Sequence, residues 1–122
     1  MIDSSAWLEY FADGPNAGFF AGAIERTAKL VVPTLCLFEV FKRVLQQVGE
    51  GQALQAVALM QQGTIVDLDR AIALTAARLS VTLRLPMADS VVYGTAQHRA
   101  AIVWTQDADF EHLPGVRFRK KQ

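Results

Sequence analysis

Ala101-Ile-Val-Trp-Thr105-Gln-Asp107-Ala-Asp109-Phe110 is an apolar run that turns acidic within a few residues. Ala101–Trp104 carries a β-branched pair and an aromatic, which fit a short buried strand. Two carboxylates then follow Thr105, so negative charge stands at the strand's carboxyl end, where open α/β sheets bind ligands. Asp is also an ordinary turn residue that bonds its own backbone. The stretch therefore matters through what can be placed beside it.

Working outward, the chain alternates short apolar triplets with helical periodicity. Leu30-Val-Val32 and Thr64-Ile-Val66 read as buried strands, Val116-Arg-Phe118 as a last one, and Met1-Ile2 as a brief first one before Asp3. Helices are expected over Ala6–Ala12, Ala17–Ala28, Pro33-Thr34 to about Val48, Gln52–Gln62, Arg70–Leu83 with Asp69 as its cap, and Pro86 to about Arg99. A turn of helix is expected around Phe110. Asp13-Gly-Pro-Asn16 and Gly49 punctuate the series. Strands separated by helices, with no hairpin signal, imply right-handed crossovers and a parallel sheet. The expected fold is α/β: a helix-rich, three-layer, doubly wound arrangement around a central parallel sheet of about five short strands. A pure helical bundle explains the β-branched triplets less well.

With 122 residues, one domain spanning 1–122 is expected. The 52% hydrophobic content excludes disorder and suggests a buried sheet or an oligomer interface. No apolar run reaches the roughly 18 residues of a membrane span, and Met1-Ile-Asp3 lacks the basic start of a secretory signal, so a cytoplasmic protein is expected. The lone Cys36, in the apolar run Leu35–Phe38, reads as a core residue. His98 and His112 have no ligand-like spacing with it, which argues against zinc. Trp7, Phe11, Phe19 and Phe20 read mostly as core, with part of the set available to a partner. Twelve basic and twelve acidic residues cancel; gathering four acids in one pocket leaves twelve basic against eight acidic groups elsewhere, a surface modestly attractive to phosphate.

Four acids are candidates for such a pocket. Asp3 and Asp107 each follow a strand, and both side chains enter one crevice if those strands are neighbours; Asp3 equally suits an N-cap. Glu39 lies about a turn and a half into the third helix, where it also suits a pair with Arg43 on a solvated face. Asp89 stands in the first turn of a helix, a position the helix dipole favours for any acid.

Asp3-Ser4-Ser5, Glu39 in Val32-Pro-Thr-Leu-Cys-Leu-Phe-Glu39, Asp89 in Pro86-Met-Ala-Asp89, and Thr105-Gln-Asp107-Ala-Asp109-Phe110 with the following Leu113-Pro-Gly-Val116 resemble the four acidic motifs of PIN-domain nucleases. In size and layout the chain is similar to VapC-type toxins of bacterial toxin–antitoxin pairs, except that the stretch before the first acid is shorter than that family's usual first strand. The resemblance implies a metal-dependent endoribonuclease that leaves a 5′-phosphate and a 3′-hydroxyl, a homodimer, and a cognate antitoxin lying across the site. It implies Asp3, Glu39, Asp89 and Asp107 as metal ligands, direct or through water. Crowded carboxylates require a compensating cation, and all-oxygen ligation suits Mg²⁺, with Mn²⁺ as substitute. Asp109, Thr105 and Ser4 are secondary candidates, and Arg43, Arg84 and Arg99 are candidates for RNA-backbone contact. The alternative is a non-catalytic or receiver-like phosphoacceptor module. It would use Asp67 after the third strand and would need a late-strand Lys that does not follow Trp104.

Overall fold

The computed structural model describes residues 1–122. Six helices carry most of the chain: α1 (Ser4–Phe11), α2 (Ala17–Glu25), α3 (Thr34–Gln47), α4 (Glu50–Met60), α5 (Arg70–Leu83) and α6 (Met87–His98). Four three-residue strands lie between them, β1 (Val31–Pro33), β2 (Thr64–Val66), β3 (Val103–Thr105) and β4 (Val116–Phe118). Single 3₁₀ turns stand at Thr27–Lys29 and Ala108–Phe110. No single helix is long and apolar enough to cross a membrane.

The strands pair in parallel, β1 with β2 (Val32 opposite Ile65) and β3 with β4 (Trp104 opposite Arg117). Ile2 adds one parallel bridge to Trp104, in which the Trp104 N–H donates to the Met1 carbonyl and the Asp3 N–H to the Trp104 carbonyl. This corrects the expectation of one sheet of about five strands: there are two two-stranded sheets and a bridging residue. The cause is strand length. Three residues sustain only a few ladder bonds, and Met1-Ile2 supplies one bridging position. Side-chain packing, not a continuous ladder, joins the halves, through a core in which Ile2, Trp7, Phe20, Val32, Val103 and Phe110 are fully buried.

Local chemistry explains several element ends. Asp69 caps α5 by accepting the Ile72 N–H at 2.9 Å. Gly49, at φ 141°, lets the chain turn from α3 into α4. Gly63 is required by a close approach, since a Cβ there would stand 2.8 Å from the Leu30 carbonyl oxygen that receives the Thr64 N–H. Between α5 and α6 the chain turns by 118°, with Arg84 left-handed at φ 56° and Pro86 just before α6. That turn aims the first turn of α6, and with it Asp89, at the carboxyl ends of the strands. One turn further along the same face, Tyr93 fixes α6 by donating to the Pro114 carbonyl at 2.7 Å.

Candidate metal centre

Asp89, Asp107 and Asp109 each bring a carboxylate oxygen to within 4.8 Å of the other two. The sequence places Asp109 second to Asp107, and the geometry makes them equals. Asp107 Oδ1 accepts the Asp109 N–H at 2.9 Å, and this bond closes the 3₁₀ turn with both carboxylates on one side. Asp3 lies beside the trio, 4% exposed, and is not one of its three closest members.

Asp3 occupies the N-cap position of α1 but makes no side-chain capping bond. Its Oδ2 instead receives the hydroxyls of Ser5 at 2.8 Å and Thr105 at 2.9 Å. Thr105, fully buried, has its oxygen accept the Asp107 N–H at 2.9 Å, so one side chain links two acids more than a hundred residues apart in sequence. Glu39 does not pair with Arg43; it accepts the Ser4 hydroxyl at 2.7 Å and shares a cleft with Ser4, Ser5 and Arg43. The carboxylates of Asp3 and Glu39 are thus each held by one of two adjacent serines of α1.

The electrostatics are those of acids lacking counter-ions. Burial pushes the Asp89 carboxyl up to about 8, with the negative charge of Asp107 next and Asp109 and Asp3 adding to it. Burial also raises Asp3; the Ser5 and Thr105 hydroxyls oppose the rise and the Asp107 charge adds to it. No Lys or Arg stands within salt-bridge distance of any acid in the molecule, so none neutralises the group. Cys36, fully buried, has its thiol pushed up by burial and then by Asp3, which makes it a core residue and not a nucleophile. The donors are all oxygen, as a hard divalent cation requires, and their number and spacing fit one.

Two further residues support this loop without a clear sequence signal. Gln106 donates through its backbone to Ser5 Oγ at 3.3 Å and accepts at its side chain from Asn16 Nδ2 at 3.0 Å. Asn16 is 1% exposed and also donates to the Lys120 carbonyl. Its place in a Gly-Pro-Asn turn suggests only a turn residue. Of the three arginines, Arg43 lines a cleft with Gln106 and Asp107. Arg84 caps α5 in the left-handed conformation, and Arg99 stands at the far end of α6. Asp67, the acid that the phosphoacceptor alternative would use, is exposed and is not one of the three clustered carboxylates.

A parallel α/β scaffold with an all-carboxylate centre at its strand ends is the plan of a metal-dependent nuclease. The family model described as PIN domain matches residues 1–116, and the chain belongs to that family, whose members are in general metal-dependent nucleases. Its fold is similar to a toxin–antitoxin complex from Klebsiella pneumoniae (TM-score 0.80, 20% identity, 95% of this chain and 93% of that one). It is also similar to VapBC2 from Rickettsia felis bound to a promoter DNA fragment (0.74, 12%, 98% and 96%) and to DNA-bound VapBC from Salmonella typhimurium (0.72, 18%, 98% and 96%). No curated protein matches the sequence.

Proposed function

We propose that the chain, as one domain, is the ribonuclease toxin of a toxin–antitoxin pair, hydrolysing RNA phosphodiester bonds with Mg²⁺ in the cytoplasm. The observation that carries the reading is the convergence of Asp89, Asp107 and Asp109 beside a buried Asp3, with no basic residue to neutralise them. Asp89, Asp107 and Asp109 would hold the cation, with Asp3 and Glu39 acting directly or through water. A bound Mg²⁺ supplies Lewis acidity toward water and the phosphodiester.

The chain's own residues orient that chemistry. Thr105 and Ser5 spend their protons on Asp3, which keeps its Oδ2 fixed. Thr105 also holds the Asp107 backbone, and Asp107 holds that of Asp109, so the ligating turn is set before metal arrives. Ser4 holds Glu39 on the α3 side, and Arg43, which lines clefts with Glu39 and with Asp107, would meet a phosphate oxygen.

Two surfaces suit the protein partners. An apolar groove of about 350 Å³ between α1, α3 and α4, lined by Leu8, Phe11, Val44, Val48 and Leu59, adjoins the Asp107 cleft through Leu8, Ala12 and Gln47. A short amphipathic antitoxin segment fits it and would reach the acids. Leu74 (60% exposed), Val81 (80%) and Met87 (78%) leave an apolar face along α5 and its turn into α6 for a second copy.

The test is cleavage of RNA in Mg²⁺ and in EDTA by the wild type and by Asp3→Asn and Asp107→Asn. Loss of about a hundredfold or more in both variants is expected, beyond the 10- to 100-fold typical of a supporting residue. Undiminished Mg²⁺-dependent cleavage in both would end the assignment.

A further inference from the structure

Far from the acids, Arg26, Lys29, Arg99 and Arg117 line one groove of about 420 Å³ that no acidic side chain enters. All four are exposed, and none is in an ion pair. Their placement is set by the fold. Arg26 and Lys29 belong to the connection before β1, Arg99 follows α6, and Arg117 lies on β4. The groove therefore opens at the amino ends of the strands, whereas the acids stand at the carboxyl ends. In a chain of zero net charge, a third of the twelve cations collect here.

The floor is apolar. Val31 and the half-buried Trp104 form part of it, and Trp104 lies opposite Arg117 in the β3–β4 register, so both side chains share a face. Unpaired cations beside an indole are the ingredients of a single-stranded nucleic-acid track, in which charges follow the phosphates and an aromatic offers a stacking surface. Part of the Trp104 ring is packed on Phe19, with centroids 5.3 Å apart, and the rest lines the groove beside the cations.

We propose that this groove is a second phosphate-binding site, engaging the backbone of the RNA strand several nucleotides from the bond that is cut. The proposal rests on the ribonuclease reading above. Asp89 and Arg99 are separated by ten residues of α6, about 15 Å at 1.5 Å per residue. At about 3.4 Å per stacked nucleotide, at least four or five nucleotides span the two sites. Short RNAs use only the acidic centre; longer ones occupy both.

The experiment measures binding of a fluorescein-labelled single-stranded RNA of about 20 nucleotides by anisotropy in EDTA, across a salt series. The proteins are the wild type, Arg99→Gln/Arg117→Gln and Arg26→Gln/Lys29→Gln, two pairs on different elements. Each pair should weaken binding about tenfold and reduce the salt slope by about 1.4, since each phosphate of a single strand that is no longer neutralised takes away about 0.7. Cleavage of an RNA of about four nucleotides in Mg²⁺ should stay at the wild-type rate in Arg26→Gln/Lys29→Gln. Equal binding and slope in wild type and variants overturns the groove, as does failure of the wild type to bind RNA while it binds polyglutamate. RNA binding that depends on the groove, with no Mg²⁺-dependent cleavage by the wild type, instead upholds the groove and ends the nuclease reading.

Discussion

Replacing Asp89 by Asn should make the metal-free protein more stable at alkaline pH, with the size of the effect set by the site's own electrostatics. Burial and then the charge of Asp107 move the Asp89 carboxyl from 3.8 to about 8. Between those values the folded chain keeps a proton that the unfolded chain has released. The unfolded state binds fewer protons, so stability falls as pH rises through this window and levels off above about 8. The interval corresponds to an upper bound of about 5–6 kcal/mol, at about 1.4 kcal/mol per pH unit. Water entry and side-chain rotation relieve part of it, leaving roughly 2–3 kcal/mol. Asn matches Asp in size and does not titrate, so Asp89→Asn should recover that amount near pH 8, about 8–12 °C in Tm for a domain of this length. Near pH 5 the gain should shrink to a fraction of this. Differential scanning fluorimetry in EDTA at the two pH values reads both. Adding Mg²⁺ should raise the Tm of the wild type and leave that of Asp89→Asn nearly unchanged, because the site loses a ligand. A variant no more stable than wild type at pH 8, or equally stabilised at pH 5 and 8, would refute the reasoning.

Thr105→Val removes the hydroxyl shared between Asp3 and the Asp107 N–H. It should cost about 1–3 kcal/mol in denaturant unfolding and lower Mg²⁺-dependent cleavage about 10- to 100-fold, with Thr105→Ser restoring most of both. Gly63→Ala places a Cβ against the Leu30 carbonyl at 2.8 Å and should lower stability by about 1–3 kcal/mol, read as a lower denaturant midpoint at unchanged m-value. Val48→Glu, at a side chain 67% exposed on the apolar groove, should weaken capture of the antitoxin in a pull-down at least tenfold and leave RNA cleavage by the free toxin at its wild-type rate.

What is legible in the sequence divides along physical lines. Helices and strands rest on periodicity, and all six helices and the triplets at 31–33, 64–66 and 116–118 stand where that pattern puts them, within a few residues. The continuity of a sheet is a collective property of ladder bonds, and strands of three residues cannot announce whether neighbours are close enough to bond. Asp3 and Asp107 can be placed together because a strand end is a defined location; the Thr105 hydroxyl shows the link. Glu39 and Asp89 are ambiguous in sequence because a helical acid has a sound local explanation, and only tertiary contacts decide between it and the cleft. For Glu39 the Ser4 bond replaces the local pair with Arg43. Asn16 is illegible because its partners, Gln106 and the Lys120 carbonyl, lie ninety or more residues away and leave no local signal.

The electrostatic tension in this centre also bears on which cation it would favour. An acid group balanced by a resident Lys or Arg would be comfortable without metal and would gain little by binding one. Here the nearest compensation for Asp89 is its own proton, held up to about pH 8, so a metal must displace that proton and its affinity rises with pH. A monovalent ion returns too little charge to offset three carboxylates within 4.8 Å of one another, whereas a small divalent ion matches them. The hydroxyls of Ser5 and Thr105 limit the alternative escape, in which the acids swing apart, because Asp3 and the 107–109 turn are tied to the same threonine. Held close and left unpaired, the carboxylates keep the metal-free site costly, and that cost is what a dication relieves.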